Sequence, residues 1–305
     1  MPFGRRRPRP SLEQAAHKAW DSADPVAAEQ ALRALLAADP SLRWAWFDAG
    51  LLAKRRRDWR QCLEDNRQAL QLATDASDDP AAWNLATAAT ALGDWSLAAW
   101  GWRTYGMPVD DYLLEAAPLR MRLGMAPVRL NPEPRHLGDP DLSSAGQTEV
   151  VWCDRLCPAR AIIRNVPTPQ TGHRFGDVVL HDGEPVGSRT VDGREYPVFN
   201  ELVVLERSEL ATCTVAVGAP ELDDVQALLS AFHDKELGAE DWGSSLVMLC
   251  KACSEGNPAE KHDHGSQEQV RSVALGASPE AAHALLARWA ADGPARTFGD
   301  VEVVG

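Results

Sequence analysis

The chain has 305 residues, of which 45% are hydrophobic and 25% are charged, and its formal net charge is −13. This length predicts more than one domain, and the composition is typical of a folded globular protein. The negative charge argues against a general attraction to nucleic acid or to an anionic membrane surface. No apolar run approaches the roughly 18 residues that a membrane-spanning helix requires. Residues 1–10 are predicted to be a disordered basic tail without a secretory apolar segment, so we expect a cytoplasmic protein.

Residues 11–124 are rich in Ala, Leu and Trp and contain apolar residues at helical spacing. The segment also repeats itself. The run that begins at Trp46 is echoed 37 residues later by the run that begins at Trp83, and Asp58-Trp59 is echoed 36 residues later by Asp94-Trp95. A period in the mid-thirties with two helices per unit indicates a helical solenoid.

This repeat resembles the tetratricopeptide repeat (TPR) family, whose units carry a Trp, then a Leu-Gly pair, an aromatic residue and later a small residue and a Pro. The matching positions are Trp46, Ala49, Gly50 and Ala53 in a first helix, Ala28, Leu32 and Pro40 in a second helix, and Trp83, Ala86 and Ala99 in a third unit. The resemblance covers about a third of the chain. It implies a stack of TPR-like helical hairpins.

By this resemblance, the concave face of the stack binds a peptide or a helix of another protein. The residues predicted to lie on or near that face are Trp44, Phe47, Lys54, Arg55 and Asn84. Two other interpretations stay open, since Trp44 can be a packing residue and a basic run at the end of a helix interacts favourably with the helix dipole. The Lys and Asn set with which some TPR stacks hold a terminal carboxylate is not evident, because Asn84 stands alone.

Two further segments follow the predicted stack. Residues 125–148 contain many Pro and Gly residues and are predicted to be a linker. Residues 149–208 contain short apolar runs separated by turn sequences such as Asp182-Gly183 and Asp192-Gly193. Five short antiparallel strands in this length predict a small β barrel or sandwich.

Residues 209–305 alternate between strand and helix patterns. The predicted elements are a strand at Thr212–Val217, a helix at Glu221–His233, strands at Ser245–Cys250 and Val270–Leu275, a helix at Pro279–Ala291 capped by Ser278, and a strand at Val301–Val304. This βαββαβ order predicts an α+β ferredoxin-like domain. The predicted fold class is therefore multidomain, with all-α TPR-like hairpins, then a small β module, then the ferredoxin-like domain.

The connection between the two middle strands, residues 250–268, combines thiols and imidazoles. The candidate metal ligands are Cys250, Cys253, His262 and His264. Two sulfurs and two nitrogens form a tetrahedral set that suits zinc, and we predict a structural zinc site. The alternatives are a flexible loop with incidental thiols, a redox Cys pair, and a catalytic metal with Glu260 or Asp263 as its base.

Two functions from different classes follow from these patterns. The first is a non-catalytic protein–protein interaction adaptor or scaffold, whose stack binds another protein or peptide and not nucleic acid or membrane. It is favoured because the sequence has no Gly-rich phosphate loop and no triad-like motif. The alternative is a metal- or thiol-dependent enzyme with a TPR recruitment arm. Four protein ligands around zinc would favour a structural metal, whereas three ligands and a water would favour catalysis.

Overall fold

The computed structural model describes residues 9–22, 24–110, 118–132, 146–242 and 270–305. The chain divides into two compact units. The first comprises Met1–Ile162 with Val178–Leu205, and the second comprises Ile163–Asp177 with Glu206–Gly305. Within the described ranges, no helix is long and apolar enough to cross a membrane.

The first unit begins with a helical stack of six helices, each of which contacts the next along the chain. Their bounds are α1 (Arg9–Asp21), α2 (Pro25–Ala38), α3 (Arg43–Arg55), α4 (Trp59–Gln71), α5 (Pro80–Ala91) and α6 (Trp95–Tyr105). The Asp-Trp sequence that repeats is a helix start. Asp58 and Asp94 each accept a hydrogen bond from the backbone N–H three residues ahead, and so cap α4 and α6.

One glycine of the stack is required by the close approach of two helices. A Cβ atom placed on Gly50 of α3 would lie 2.4 Å from the Nδ2 atom of Asn66 on α4. Asn66 cannot easily retreat, because it is buried and its Nδ2 already donates to the Cys62 carbonyl at 2.7 Å. The small residue that the repeat pattern carries here therefore sets the distance between the two helices.

A closed five-stranded β barrel completes the first unit. Its strands, which neighbour each other in chain order, are β1 (Met125–Leu130), β2 (Glu149–Cys157), β3 (Arg160–Ile163), β4 (Val178–Val191) and β5 (Arg194–Glu206). The barrel closes because β1 pairs antiparallel with β2 and parallel with β5. Buried residues of α5 and α6 form one hydrophobic core with Cys157, Ala159 and Leu180 of the barrel, so helices and barrel are not separate layers.

The described part of the second unit contains one antiparallel sheet and two helices. Its elements are β6 (Thr212–Gly218), α7 (Leu222–His233), β7 (Gly238–Asp241), β8 (Val270–Gly276), α8 (Pro279–Ala291), β9 (Thr297–Phe298) and β10 (Glu302–Val303). The sheet order is β10-β6-β8-β7, and β9 also pairs with β6. The core of this unit lies between the sheet and the helices, around Phe232, Leu275 and Trp289.

The predicted fold class was wrong. The described chain is an α+β mixture of six N-terminal helices, a closed barrel and a second sheet, without a clear ferredoxin-like domain. The strand predicted at Ser245–Cys250 lies outside the described residues. The described strand that follows α7 is the four-residue β7, which was not predicted. The last predicted strand is shorter than expected, and two two-residue strands, β9 and β10, pair with β6. The two C-terminal helices and the Ser278 cap are confirmed.

Candidate functional site

A concave site in the first unit lies where α3, α5 and α6 meet strand β4. We call it the α3–α5 pocket, and its volume is about 380 Å³. It is lined by Phe47, Leu51 and Lys54 of α3, Pro80, Trp83 and Asn84 of α5, Tyr105 of α6, and Asp182, Gly183 and Glu184 of β4. The pocket thus combines an aromatic wall with a few polar groups at fixed positions, which is the usual composition of a binding site.

Lys54 is the central charged group of this pocket. The side chain is buried, with only 7% of the residue exposed. Its Nζ donates to Asn84 Oδ1 at 3.0 Å and to Asp182 Oδ1 at 2.6 Å. A buried ammonium group needs such partners because desolvation of an unpaired charge is costly. The structure therefore pairs Asn84 of α5, which stands alone in the sequence, with Lys54 of α3.

Strand β4 enters the pocket at Gly183 because only a residue without a side chain fits there. A Cβ atom on Gly183 would lie 2.2 Å from the Cε2 and Nε1 atoms of Trp83. The Trp83 ring is itself held edge-on against Trp102 and Tyr105, with ring centroids 4.9 Å apart in both pairs. Its Nε1 is buried and has no hydrogen-bond partner among the described residues. The backbone of β4 is therefore pressed against a fixed indole ring.

Within strand β4, the Asp182 carboxylate contacts both the backbone that follows it and Lys54. Asp182 Oδ1 accepts hydrogen bonds from the backbone N–H of Gly183 at 2.7 Å and of Glu184 at 3.4 Å. The same oxygen accepts the bond from Lys54. One carboxylate therefore binds the backbone of the next two residues and neutralises the buried lysine at the same time.

Two of the five residues predicted for partner binding lie elsewhere on the stack. The ring of Trp44 stacks on His17 of α1, with centroids 4.8 Å apart. The guanidinium of Arg55 lies over the ring of Trp20, 5.7 Å from its centroid. The structure brings Phe47, Lys54 and Asn84 together in the pocket and places Trp44 and Arg55 against α1. A binding role for the latter two stays a prediction.

Sequence reasoning missed the β4 side of the pocket. Asp182-Gly183 was predicted to be a turn between two short strands, which is wrong because both residues lie within the continuous strand β4. The sequence also carries no signal that they lie against α5. Trp83 did carry a signal, because it repeats Trp46 at the distance of one unit. Tyr105 at the end of α6 carried none.

The predicted metal ligands, Cys250, Cys253, His262 and His264, lie outside the described residues, so structural zinc stays a prediction. Within the described ranges, no group of three or more His, Cys, Asp or Glu side chains could hold a metal ion. The cysteines there, Cys62, Cys153, Cys157 and Cys213, are buried and form no disulfide with one another. Burial raises the pKa of Cys62 to about 12, so that its thiol stays protonated and is a poor nucleophile.

His181, the residue before Asp182, is a buried neutral imidazole. Its Nδ1 lies 2.7 Å from the Asp182 carbonyl oxygen and donates to it in the neutral ring, whereas Nε2 has no partner among the described residues. Burial lowers the pKa of His181 to about 4; the Asp182 carbonyl opposes this shift, and the positive charge of Arg155 adds to it. The histidine therefore enters the folded state without its proton.

This arrangement predicts a loss of stability in mild acid. The unfolded chain takes up the His181 proton near pH 6.5, whereas the folded chain takes it up only near pH 4. Stability is therefore complete above pH 6.5 and falls as the pH decreases toward 4. Between pH 7 and pH 5, we expect this group to cost about 2 kcal/mol of unfolding free energy. Urea titrations of the wild type and of His181→Gln check this, because the variant should lose that part of the pH dependence; equal slopes would contradict it.

Comparisons with known proteins identify no function for the α3–α5 pocket. No protein-family model matches the chain, and no curated protein matches it. A solved structure described as a novel crystal structure of a hypothetical protein from Neisseria gonorrhoeae is similar over 61% of this chain and 96% of that chain, with 13% sequence identity and a TM-score of 0.22. At that TM-score the similarity carries no argument about fold or function.

Proposed function

We propose that this protein is a non-catalytic protein–protein interaction adaptor of the cytoplasm, whose helical stack is of the TPR kind. The stack binds an extended peptide segment of a partner in the α3–α5 pocket. One observation supports this most directly: a short peptide segment of the chain itself, Asp182 to Glu184, already lies on this face and pairs with Lys54. The face is thus chemically suited to a peptide that presents a carboxylate.

The composition of the pocket favours binding over catalysis. Its described lining contains no serine, cysteine or histidine, so it offers no usual pairing of a nucleophile with a histidine base. On the helical side, a buried lysine and an amide can fix the orientation of a bound segment, and the aromatic rings supply contact area. We also retain structural zinc at the Cys/His loop as a proposal, which depends on the sequence alone.

The proposal is tested by selecting peptides from a random displayed library on the immobilised full-length protein. The selection is run in parallel on the wild type and on Asp182→Ala, so that the resident carboxylate does not hide binding. We expect enriched peptides whose affinity falls at least about tenfold in Phe47→Ala, because a central aromatic contact of an interface commonly exceeds 1.4 kcal/mol.

The matched control is Trp100→Ala, since Trp100 lies on the stack, is 49% exposed and does not line the pocket. Its affinity for the same peptides should be unchanged. If neither protein enriches peptides, or if the enriched peptides bind Phe47→Ala as well as the wild type, the proposed function is wrong. Circular dichroism of each variant confirms that its helices are intact.

A further inference from the structure

We propose that Asp182 and Gly183 are an internal ligand of the α3–α5 pocket, and that the partner is a peptide segment in which an acidic residue is followed by glycine. The partner then binds by displacing Asp182 from Lys54. This inference deepens the proposed function and depends on it. It assigns both the chemistry of the partner and a self-occupied state of the site.

The requirement for an acidic residue follows from the burial of Lys54. Its Nζ is bound by one carboxylate, that of Asp182, and by the neutral amide of Asn84. A segment that displaced Asp182 without bringing a negative charge would leave a buried ammonium paired only with an amide, which is strongly unfavourable. Only a partner that supplies its own carboxylate can exchange with Asp182 without this loss.

The requirement for glycine follows from the indole ring of Trp83. The position after the carboxylate has no room for a side chain, since a Cβ atom there would come within 2.2 Å of the ring. Trp83 cannot turn away easily, because Trp102 and Tyr105 hold it from two sides. A partner that follows the path of β4 must therefore carry glycine at that position.

The resident segment lies within β4 at the point where the strand passes from buried to exposed residues. The residues before it, from Val178 to His181, are buried, whereas Glu184 and the four residues after it are exposed. The side chain of Asp182 is itself 23% exposed, so rotation about its side-chain bonds can release the carboxylate into water. For a partner glycine to take the place of Gly183, the exposed half of β4, which pairs with β5, must also move away from Trp83.

The test uses the full chain and a synthetic peptide with the sequence of residues 180–187, Leu-His-Asp-Gly-Glu-Pro-Val-Gly. The proteins are the wild type, Asp182→Ala, which removes the resident carboxylate from Lys54, and Asp182→Asn, which removes the charge but keeps an oxygen for the Gly183 N–H. Asp192→Asn is the control, because it makes the same charge change at the β4–β5 turn. Binding is measured by fluorescence anisotropy of the labelled peptide.

We expect the peptide to bind the two Asp182 variants at least about tenfold more tightly than the wild type, since the apparent affinity scales with the fraction of vacant sites. Asp192→Asn should bind the peptide as the wild type does. A peptide with Asn in place of its Asp should not bind Asp182→Ala. If the peptide binds the wild type and the Asp182 variants equally, or binds none of them, the internal-ligand inference is wrong. The proposed function still stands in that case if displayed peptides bind through Phe47, and it fails with the inference if they do not.

Discussion

Replacing Arg33 with Met should lower the free energy of unfolding by about 3 kcal/mol, because it leaves a buried carboxylate without its cation. Arg33 of α2 donates to Asp65 of α4 through two parallel bonds of 2.6 and 2.7 Å. The hydrogen bonding of Arg33 to the Asp65 carboxylate raises the pKa of Arg33. Asp65 is fully buried, and in the variant it would keep only the bond from Gln61. We take the lower end of the usual cost because the Arg33 side chain is 32% exposed.

A second arginine of the stack provides the matched control. Arg67 lies 3.8 Å from Glu64 on α4, and the two side chains are 44% and 49% exposed. Arg67→Met should therefore change the unfolding free energy by less than about 1 kcal/mol. Urea denaturation with a constant m-value measures both variants. Equal losses would mean that the Arg33–Asp65 pair does not join the hairpins as the geometry indicates.

The part of the site that belongs to the helical stack could be predicted from the sequence, because it follows from a local period. Residues one repeat unit apart lie on equivalent faces of neighbouring hairpins. The family resemblance placed Trp44, Phe47, Lys54, Arg55 and Asn84 on or near one face, and of these five only Phe47, Lys54 and Asn84 line the pocket. The repeated Asp-Trp pair likewise marks two helix starts, since both aspartates cap their helices.

The β4 side of the site could not be predicted in the same way. Asp182 is 128 residues from Lys54 in the sequence, and its immediate sequence describes only a turn. A basic residue at the end of α3 also has a sufficient local explanation in the helix dipole. The pairing of the two is a property of the packed core shared by helices and barrel, which no local pattern encodes.

Strands β1 and β7 were not predicted from the sequence, each for a different reason. Strand β1 carries Pro127 and lies between proline-rich stretches, so its residues were assigned to a linker. Proline is compatible with a strand where its missing N–H is not needed by the ladder. Strand β7, Gly238–Asp241, contains two acidic residues and a glycine, so it lacks the apolar alternation by which strands are detected. It is held in place by its antiparallel pairing with β8.

Replacing Trp102 with Ala should have the largest effect on the first unit, a loss of about 4 kcal/mol in unfolding free energy. Trp102 is fully buried in the core that α5 and α6 share with the barrel. The variant removes an indole ring from beneath Trp83 and leaves a cavity there. Trp102→Phe should cost much less, because the Trp102 Nε1 has no hydrogen-bond partner among the described residues and phenylalanine therefore loses none.

Trp100→Ala separates this effect from the general cost of losing a tryptophan on α6. Trp100 is two residues away on the same helix but is 49% exposed, so its loss should cost less than about 1 kcal/mol. Thermal and urea denaturation of the three variants give the ranking. If Trp100→Ala and Trp102→Ala were equally damaging, the shared core would not be the element that holds helices and barrel together. If the ranking is as expected, Trp102 also supports the α3–α5 pocket, because the position of Trp83 against Gly183 depends on the ring beneath it.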